Sequence, residues 1–362
     1  MRKLIRVLVQ EVATVSPTEK RTDGGNADAS DLPFEQLSPD TMTRGERYRS
    51  TIQEWVIAPI QIIWSDRRAR VGSIIILFYI LMGTVGVMLV PPTQPGDGAQ
   101  LIKPFQNFAH PLGTDNLGDD LLARTIHATP AMLEMITAGA LFTTVLATIV
   151  GALSGYKGGN IDRILMTITD ILITIPGLPL VIVIAVILNP KEPWMVGIIL
   201  TINAWAGLAR AIRSQVLTLR NESFVEASRL MGISTPTIIL KDIVPGLMPY
   251  ITVNFVNSAR GVIFSSVALY FLGILPFTNR NWGVMLNLAY STGGALYSIN
   301  IIHWLLVPMI TIILLSLGLI LFAQGTDRIF NPRVRARHMT VNTEQFEEDG
   351  ESRITTESQI KN

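Results

Sequence analysis

The sequence predicts an all-α membrane protein with six transmembrane helices, and three observations predict it. The 362 residues are 49% hydrophobic and only 16% charged, with a mean hydropathy of +0.40, whereas a soluble chain is about a quarter charged. Six apolar stretches reach the roughly 20 residues that a helix needs to cross a bilayer core. Lysine and arginine fall unevenly on the two sets of helix flanks, and such asymmetry orients a multi-spanning chain.

The order of elements follows from these patterns. Residues 1–50 are rich in Thr, Ser, Asp, Glu, Gly and Pro, too polar to bury a core, and are expected to form a disordered cytoplasmic tail. The short apolar run after Met1 is interrupted by Arg6 and lacks a small-residue cleavage site, so it does not read as a signal peptide. Residues 51–71 carry Trp55 and Trp64 followed by Arg67, Arg68 and Arg70, the pattern of an interfacial helix. A transmembrane domain is expected over 72–338, with spans near 72–90, 131–154, 164–188, 194–212, 247–274 and 301–323. Arg210 makes the fourth the weakest. Residues 339–362 are expected to form a second disordered cytoplasmic tail. One set of flanks holds fourteen Lys and Arg residues, from Arg67 through Arg229 to Arg337; the other holds Lys103, Arg124, Lys191 and Arg280. Both termini and the polar segment 213–245 are therefore expected in the cytoplasm, with 91–130 and 275–300 outside.

Composition also excludes functions. A net charge of +1 gives no footprint for nucleic acid. The absence of cysteine removes disulfides, thiolate metal sites and thiol nucleophiles. His110, His127, His303 and His338 are too far apart to suggest a metal site; His303, beside Trp304 at a helix start, reads as an interfacial anchor. Gly155-Tyr156-Lys157-Gly158-Gly159 is a glycine-rich turn and not a phosphate-binding loop.

The segment 213–245 is the most informative part of the chain. Ser223 and Glu226 have the spacing of a capping box, and Gly232 suits the left-handed position that ends a helix. Thr235 and Pro236 then read as an N-cap and first residue of a second short helix, with Ile238, Ile239 and Ile243 on its apolar side. Pro245 and Pro249 bound the start of the fifth span. A plain connector needs about 2–8 residues, so the length favours a partner-binding element, although a helical hairpin that only joins two spans fits the same capping pattern. Glu226 reads either as a contact residue or as a cap alone.

The run Phe224-Val225-Glu226-Ala227-Ser228-Arg229-Leu230-Met231-Gly232, followed by Ile239, Asp242 and Pro245, resembles the EAA loop of binding-protein-dependent ABC importer permeases. Ser228 stands where that family usually has a second Ala. The block from His110 to Asp120, with Gly113, Thr114, Asp115 and Gly118, is similar to one found in the dipeptide/oligopeptide/nickel subfamily, with Asp119 in place of the usual Arg. Gly155 to Arg163, Asp170 to Gly177, Phe271-Leu272-Gly273, Asn281 to Leu286 and Gly325 to Arg333 match in the same order; Ser266 departs from an acidic position. The arrangement resembles the second permease subunit. The resemblance covers about 60–335 and implies a type I ABC importer permease fold. It implies that Glu226, Ala227, Ser228, Gly232, Ile239, Asp242 and Pro245 couple to an ATPase. It also implies a second homologous permease subunit, two cytoplasmic ATP-binding subunits that hold ATP and Mg, and an extracytoplasmic substrate-binding protein. This chain then binds no cofactor, catalyses nothing and carries peptides, with nickel or oligosaccharides as other cargo classes.

Polar residues inside spans are costly and point to function. Asp170, Asn254, Asn257 and Arg260 are candidates for the translocation path, the last three on one broad face of the fifth span. Interhelical bonding is the competing reading, with Arg260 paired to Asp170 or to Glu134, which is expected near a helix end. Pro176-Gly177-Leu178-Pro179 predicts a bend in the third span, either a hinge or a fixed kink. An ion-coupled secondary transporter using Asp170 and Arg260 is the alternative function; no internal repeat supports it.

Overall fold

Ten helices form among the described residues, which in the computed structural model are 63–329 apart from 95, 97, 276–280 and 292–293. The two tails expected at 1–50 and 339–362, and residues 51–62 of the expected interfacial helix, lie outside them. In chain order the helices are α1 (Arg67–Leu89), α2 (Leu121–Lys157), α3 (Gly159–Thr174), α4 (Gly177–Leu188), α5 (Pro193–Leu200), α6 (Ala204–Leu219), α7 (Ser223–Leu230), α8 (Thr235–Phe271), α9 (Trp282–Ser291) and α10 (His303–Ile329). No strand is present among the described residues. Four helices, α1, α2, α8 and α10, are individually long and apolar enough to cross a membrane. The pairs α3–α4 and α5–α6 qualify only together, bent by 88° and 58°.

Hydrophobic patterning located the apolar helices but not their ends. The second span begins ten residues before the expected 131, because Asp120 caps it by accepting from the Leu122 amide at 2.8 Å. The polar first turns escape a hydropathy reading, yet Thr125 and Thr129 are buried there and bond back to backbone carbonyls. Glu134 is consequently exposed well inside α2 and not near its end, which corrects that expectation. The loop expected at 155–163 shrinks to Gly158, since α2 runs to Lys157 and α3 starts at Gly159. The second short helix of the 213–245 segment is not separate: it passes through a widened π turn at Ile239–Ile243 and continues as α8. Pro245 sits just past that wide turn, a backbone form that relaxes the hydrogen-bond ladder proline would otherwise break.

Helices meet where glycine lets backbones approach. A Cβ on Gly197 of α5 would lie 2.2 Å from the Met135 carbonyl oxygen, and one on Gly139 of α2 would lie 2.6 Å from that of Gly197. Further along α2, Gly151 faces the Ala209 carbonyl of α6 and Gly155 faces Val216. These are small-residue contacts of the kind that replace hydrophobic driving force between membrane helices. The antiparallel α1–α10 pair repeats the device with Ala69 against Gly325 and Gly72 against Gly318, and the Tyr79 hydroxyl donates to the Thr311 carbonyl at 2.7 Å. Trp282, fully buried, packs edge-on to Tyr79 at 5.9 Å and ties α9 to this pair.

At the α2 N-terminal end, residues 98–120 form a knot rather than an open loop. Asp115 is fully buried, accepts from the Leu117 and Asp119 amides at 2.8 and 2.9 Å, and pairs with Arg124. Asp119, where the resemblance expects a basic residue, lies 3.5 Å from the same guanidinium. His303 is buried here, its Nε2 at 3.4 Å from the Thr114 carbonyl. It thus fastens the start of α10 to the knot, which corrects its reading as an interfacial anchor.

Gly197→Leu is expected to abolish the folded state, because the clash is between Cβ and backbone and no rotamer relieves it; overpacking typically costs about 1–3 kcal/mol even where side chains can yield. Gly207→Ala, at a glycine with no atom within 4 Å of the added Cβ, is expected to fold normally. Size-exclusion profile and melting temperature of the two variants in detergent check the contrast.

Candidate functional site

Two sites emerge, a surface element at the Lys157 end of α2 and a polar groove between helices. The surface element is α7, its turn and the start of α8. Helix α7 has Glu222 at its N-cap, with no side-chain capping bond. The capping box expected from Ser223 and Glu226 does not form: Ser223 is already the first helical residue, one position past the cap. Glu226 is therefore exposed and released from a capping role. The restart shifts likewise, with Ser234 rather than Thr235 at the cap, its hydroxyl 2.8 Å from that of Thr237.

The turn closes as the glycine at 232 requires. Gly232 has φ +75°, the Gly232 amide donates to Arg229 and the Ile233 amide donates to Ser228 at 3.2 Å. That is a Schellman motif, which satisfies the last carbonyls of α7.

Helix α7 is two-sided. Val225 is fully buried and Ser228 nearly so, three residues apart on the inner face. Val225 shares one core with Ile238 and Ile243 of α8, Ala152 of α2, and Ile212 and Val216 of α6. Ser228 thus packs inward. The outward side exposes Glu226 and Ala227 and an apolar patch: Phe224 49%, Leu230 84%, Met231 70% and Leu240 67% exposed. Ile239 and Asp242 are half-buried, and Pro245 is exposed on α8. The patch residues were absent from the residue set suggested by the motif. Their signal in the sequence was the pair Leu230-Met231 immediately before a helix-ending glycine, an apolar step where a solvated turn would be polar.

The element is fastened to the helix ends beneath it. Arg229 lies over the Tyr156 ring at 5.4 Å, and Arg220 donates to the Gly155 carbonyl at 3.0 Å. Arg213 forks onto Asp162 with two bonds of 2.5 Å, a bidentate geometry that fixes the angle between α6 and α3.

The second site is a groove of about 450 Å³ lined by α2, α5, α6 and α8. Thr143, Thr201, Tyr250, Asn254, Asn257 and Ser258 supply its polar groups, and Gly207 and Gly261 leave it open. Asn254 and Asn257 come together here, while Asp170 and Arg260 do not line it. Arg260 pairs with neither Asp170 nor Glu134; its Nε donates to Ser316 of α10 at 3.3 Å. Asp170 pairs instead with Arg210 of α6, both about half exposed. The expected grouping thus splits, because a step of three residues leaves Arg260 rotated toward α10. Ser266, at the position where the resemblance expects an acid, is fully buried and bonded to the Ile263 carbonyl.

Both helix breaks adjoin the groove region. The bend expected at Pro176 is present. The one at 201–203 was missed, although Asn203 interrupts an apolar run. Asn203 Nδ2 reaches the Ile175 carbonyl at 3.5 Å, and Thr201 Oγ1 donates to carbonyls of Gly139 and Gly197. Broken helices inside a membrane need such partners for the freed backbone groups.

Known proteins resemble this chain over much of its length. Residues 147–336 match the family described as binding-protein-dependent transport system inner membrane component. The chain is 32% identical over 275 residues to the dipeptide transport system permease protein DppC of Bacillus subtilis (strain 168), covering 75% of this chain and 83% of that one. It is 34% identical over 222 residues to the oligopeptide transport system permease protein OppC of the same organism, covering 61% and 72%. To the OppC protein of Haemophilus influenzae it is 33% identical over 256 residues, covering 68% and 80%.

Gly232→Val is expected to destabilise the α7–α8 turn by about 1–2 kcal/mol or more, the cost of a side chain in the left-handed region. Limited proteolysis is expected to cut the 229–235 segment faster in this variant, with the melting temperature of the membrane helices unchanged.

Proposed function

The chain belongs to the family of binding-protein-dependent transport system inner membrane components, and on that premise we propose that it imports peptides by coupling ATP hydrolysis on partner subunits to movement of its helices through residues 222–245. It is a permease, a transport component with a multi-pass helical membrane domain. In this reading each bent pair makes one span, giving six, and the chain adopts the type I importer permease fold. The Lys157 end of α2 faces the cytoplasm, as the distribution of Lys and Arg favours. Peptides as cargo are supported by the relatives, which are named as dipeptide and oligopeptide permeases.

The observation that carries the coupling role is the two-sidedness of α7. Its outer patch of Phe224, Leu230, Met231 and Leu240 is exposed and has the form of a short helix presented to a partner groove. Its inner residue Val225 belongs to the same core as α2, α6 and α8. A displacement imposed on the patch is therefore passed to three membrane helices through packed side chains, which rearrange between discrete states and do not deform smoothly. Glu226, Ala227 and Gly232 lie on or beside the contact face; Ser228, Ile239 and Asp242 hold the element to the helices, with Pro245 at the junction.

Partners follow from the same reading. Two cytoplasmic ATP-binding subunits hold ATP and Mg and grip one such element each. A second permease subunit completes the path. An extracytoplasmic binding protein delivers peptide to the 91–120 end. The groove with Asn254 and Asn257 forms this chain's share of the path: neutral amides and hydroxyls can bond peptide groups of any sequence and release them again. Asp170, paired with Arg210, and Arg260, bonded to Ser316, set helix positions beside it. The ion-coupled alternative uses Asp170 and Arg260, which are engaged by Arg210 and Ser316 respectively.

Met231→Asp is expected to reduce capture of the ATP-binding subunits by tagged permease at least roughly tenfold, as burial of an unpaired charge in an interface costs several kcal/mol, while the permease still folds. Undiminished capture would overturn the coupling role. Gly207→Phe, which fills the groove, is expected to abolish peptide uptake by reconstituted vesicles with ATPase capture retained; uptake at the wild-type rate would remove the groove from the path.

A further inference from the structure

Two concavities meet at the end of α2 that carries Lys157. One is an almost wholly apolar groove between α2 and α8, following α2 from Thr144 to Lys157 and α8 from Thr235 to Ile251. At 1.5 Å per residue the α2 stretch is about 20 Å long, enough to run through one leaflet of a hydrocarbon core about 30 Å thick. The other is a cleft of about 470 Å³ lined by Tyr156, Lys157, Arg220, Asn221, Arg229 and Thr235 with two isoleucines. Lys157 and Thr235 line both, so the basic cleft is continuous with the apolar groove at one end only.

The cleft has three cations and no carboxylate in its lining. None of the three makes an ion pair among the described residues: Arg220 bonds the Gly155 carbonyl, Arg229 lies over Tyr156, and Lys157 is exposed in the last turn of α2. The nearby Asp162 is held by Arg213 at 2.5 Å. A cationic cluster with no ion pair among the described residues, at the head of a groove with the length and polarity of an acyl chain, has the charge and shape of one class of molecule.

We propose that this site binds an anionic phospholipid, with its phosphate in the cleft of Lys157, Arg220 and Arg229 and one acyl chain in the groove between α2 and α8. The concavity and the charge at one end distinguish it from the general lipid-facing surface. Because Thr235, Pro236 and Ile239 form one wall, with Leu240 of the apolar patch at its edge, the lipid braces the first turns of α8 against α2, beside the element that carries that patch. The site rests on the membrane placement of α2 and α8 proposed above, but its readout is lipid retention, which is independent of ATPase capture, so the two readings fail separately.

Native mass spectrometry of the full chain released from nanodiscs of equal parts phosphatidylglycerol and phosphatidylcholine tests it. The wild type is expected to retain phosphatidylglycerol preferentially. Lys157→Gln and Arg229→Gln are each expected to lower that preference roughly fivefold, the effect of one basic residue at an anionic surface. Thr148→Trp, which fills the groove, is expected to lower retention of both lipids, with melting temperatures of all three variants near wild type. Equal retention of the two lipids by the wild type would overturn the proposal. So would an unchanged preference in both charge variants, inorganic phosphate displacing the bound species as well as lipid does, or a photo-crosslinker at position 148 capturing the second permease subunit in place of lipid.

Discussion

The close approach of α2 to α5 and α6 is the contact on which the remaining architecture depends. Gly139 and Gly197 bring two backbones together at mid-helix, and Gly151 and Gly155 do the same where α2 meets α6. Membrane helices gain little from excluding water, so packing distance and interhelical bonds hold them together. That crossing places the bent α5–α6 pair against α2, and it opens the polar groove on the side where Gly207 and Gly261 present no side chains. The freed carbonyls of Ile175 and Gly197 at the two breaks are met by Asn203 and Thr201. A larger residue at the crossing would separate the helices, and groove, breaks and surface element would lose their common frame.

The α7 element inherits its rigidity from that frame. It has only eight residues and no capping side chain at its start, and so short a helix is marginal alone. The Gly232 turn and the insertion of Val225 among Ala152, Ile212, Val216, Ile238 and Ile243 stabilise it. In the proposed coupling role the same arrangement would make α7 a lever, because Val225 shares its core with α2, α6 and α8. Coupling in such a system is the free-energy difference between two packings of one core, felt equally from either end. A lipid between α8 and α2 would act on that difference directly.

Much of this architecture is legible in the sequence, and what is not depends on packing. Composition and apolar run length identified the helical class and the regions of the spans. Pro176 announced one break, and Gly232 announced the turn that its φ of +75° bears out. The local capping patterns misplaced both N-caps by one residue, since Ser223 and Thr235 each follow a residue equally suited by backbone conformation. The start of α2 escapes a hydropathy reading because polar residues such as Thr125 are buried there, and that of α8 because a wide turn at Ile239–Ile243 carries the helix through polar residues. The sequence offers Arg260 as a partner for Asp170, yet the partner is Arg210, a choice set by how α3 lies on α6.

By itself the sequence determined the class of the protein, the number of apolar runs and the presence of a structured polar element between two of them, because these depend on local hydrophobicity and on backbone preferences of single residues. Only the tertiary structure decided which face of α7 is buried, which carboxylate meets which guanidinium, and which asparagines share a groove. Those outcomes depend on distances between segments far apart in the chain, and in this fold a few glycine contacts set those distances.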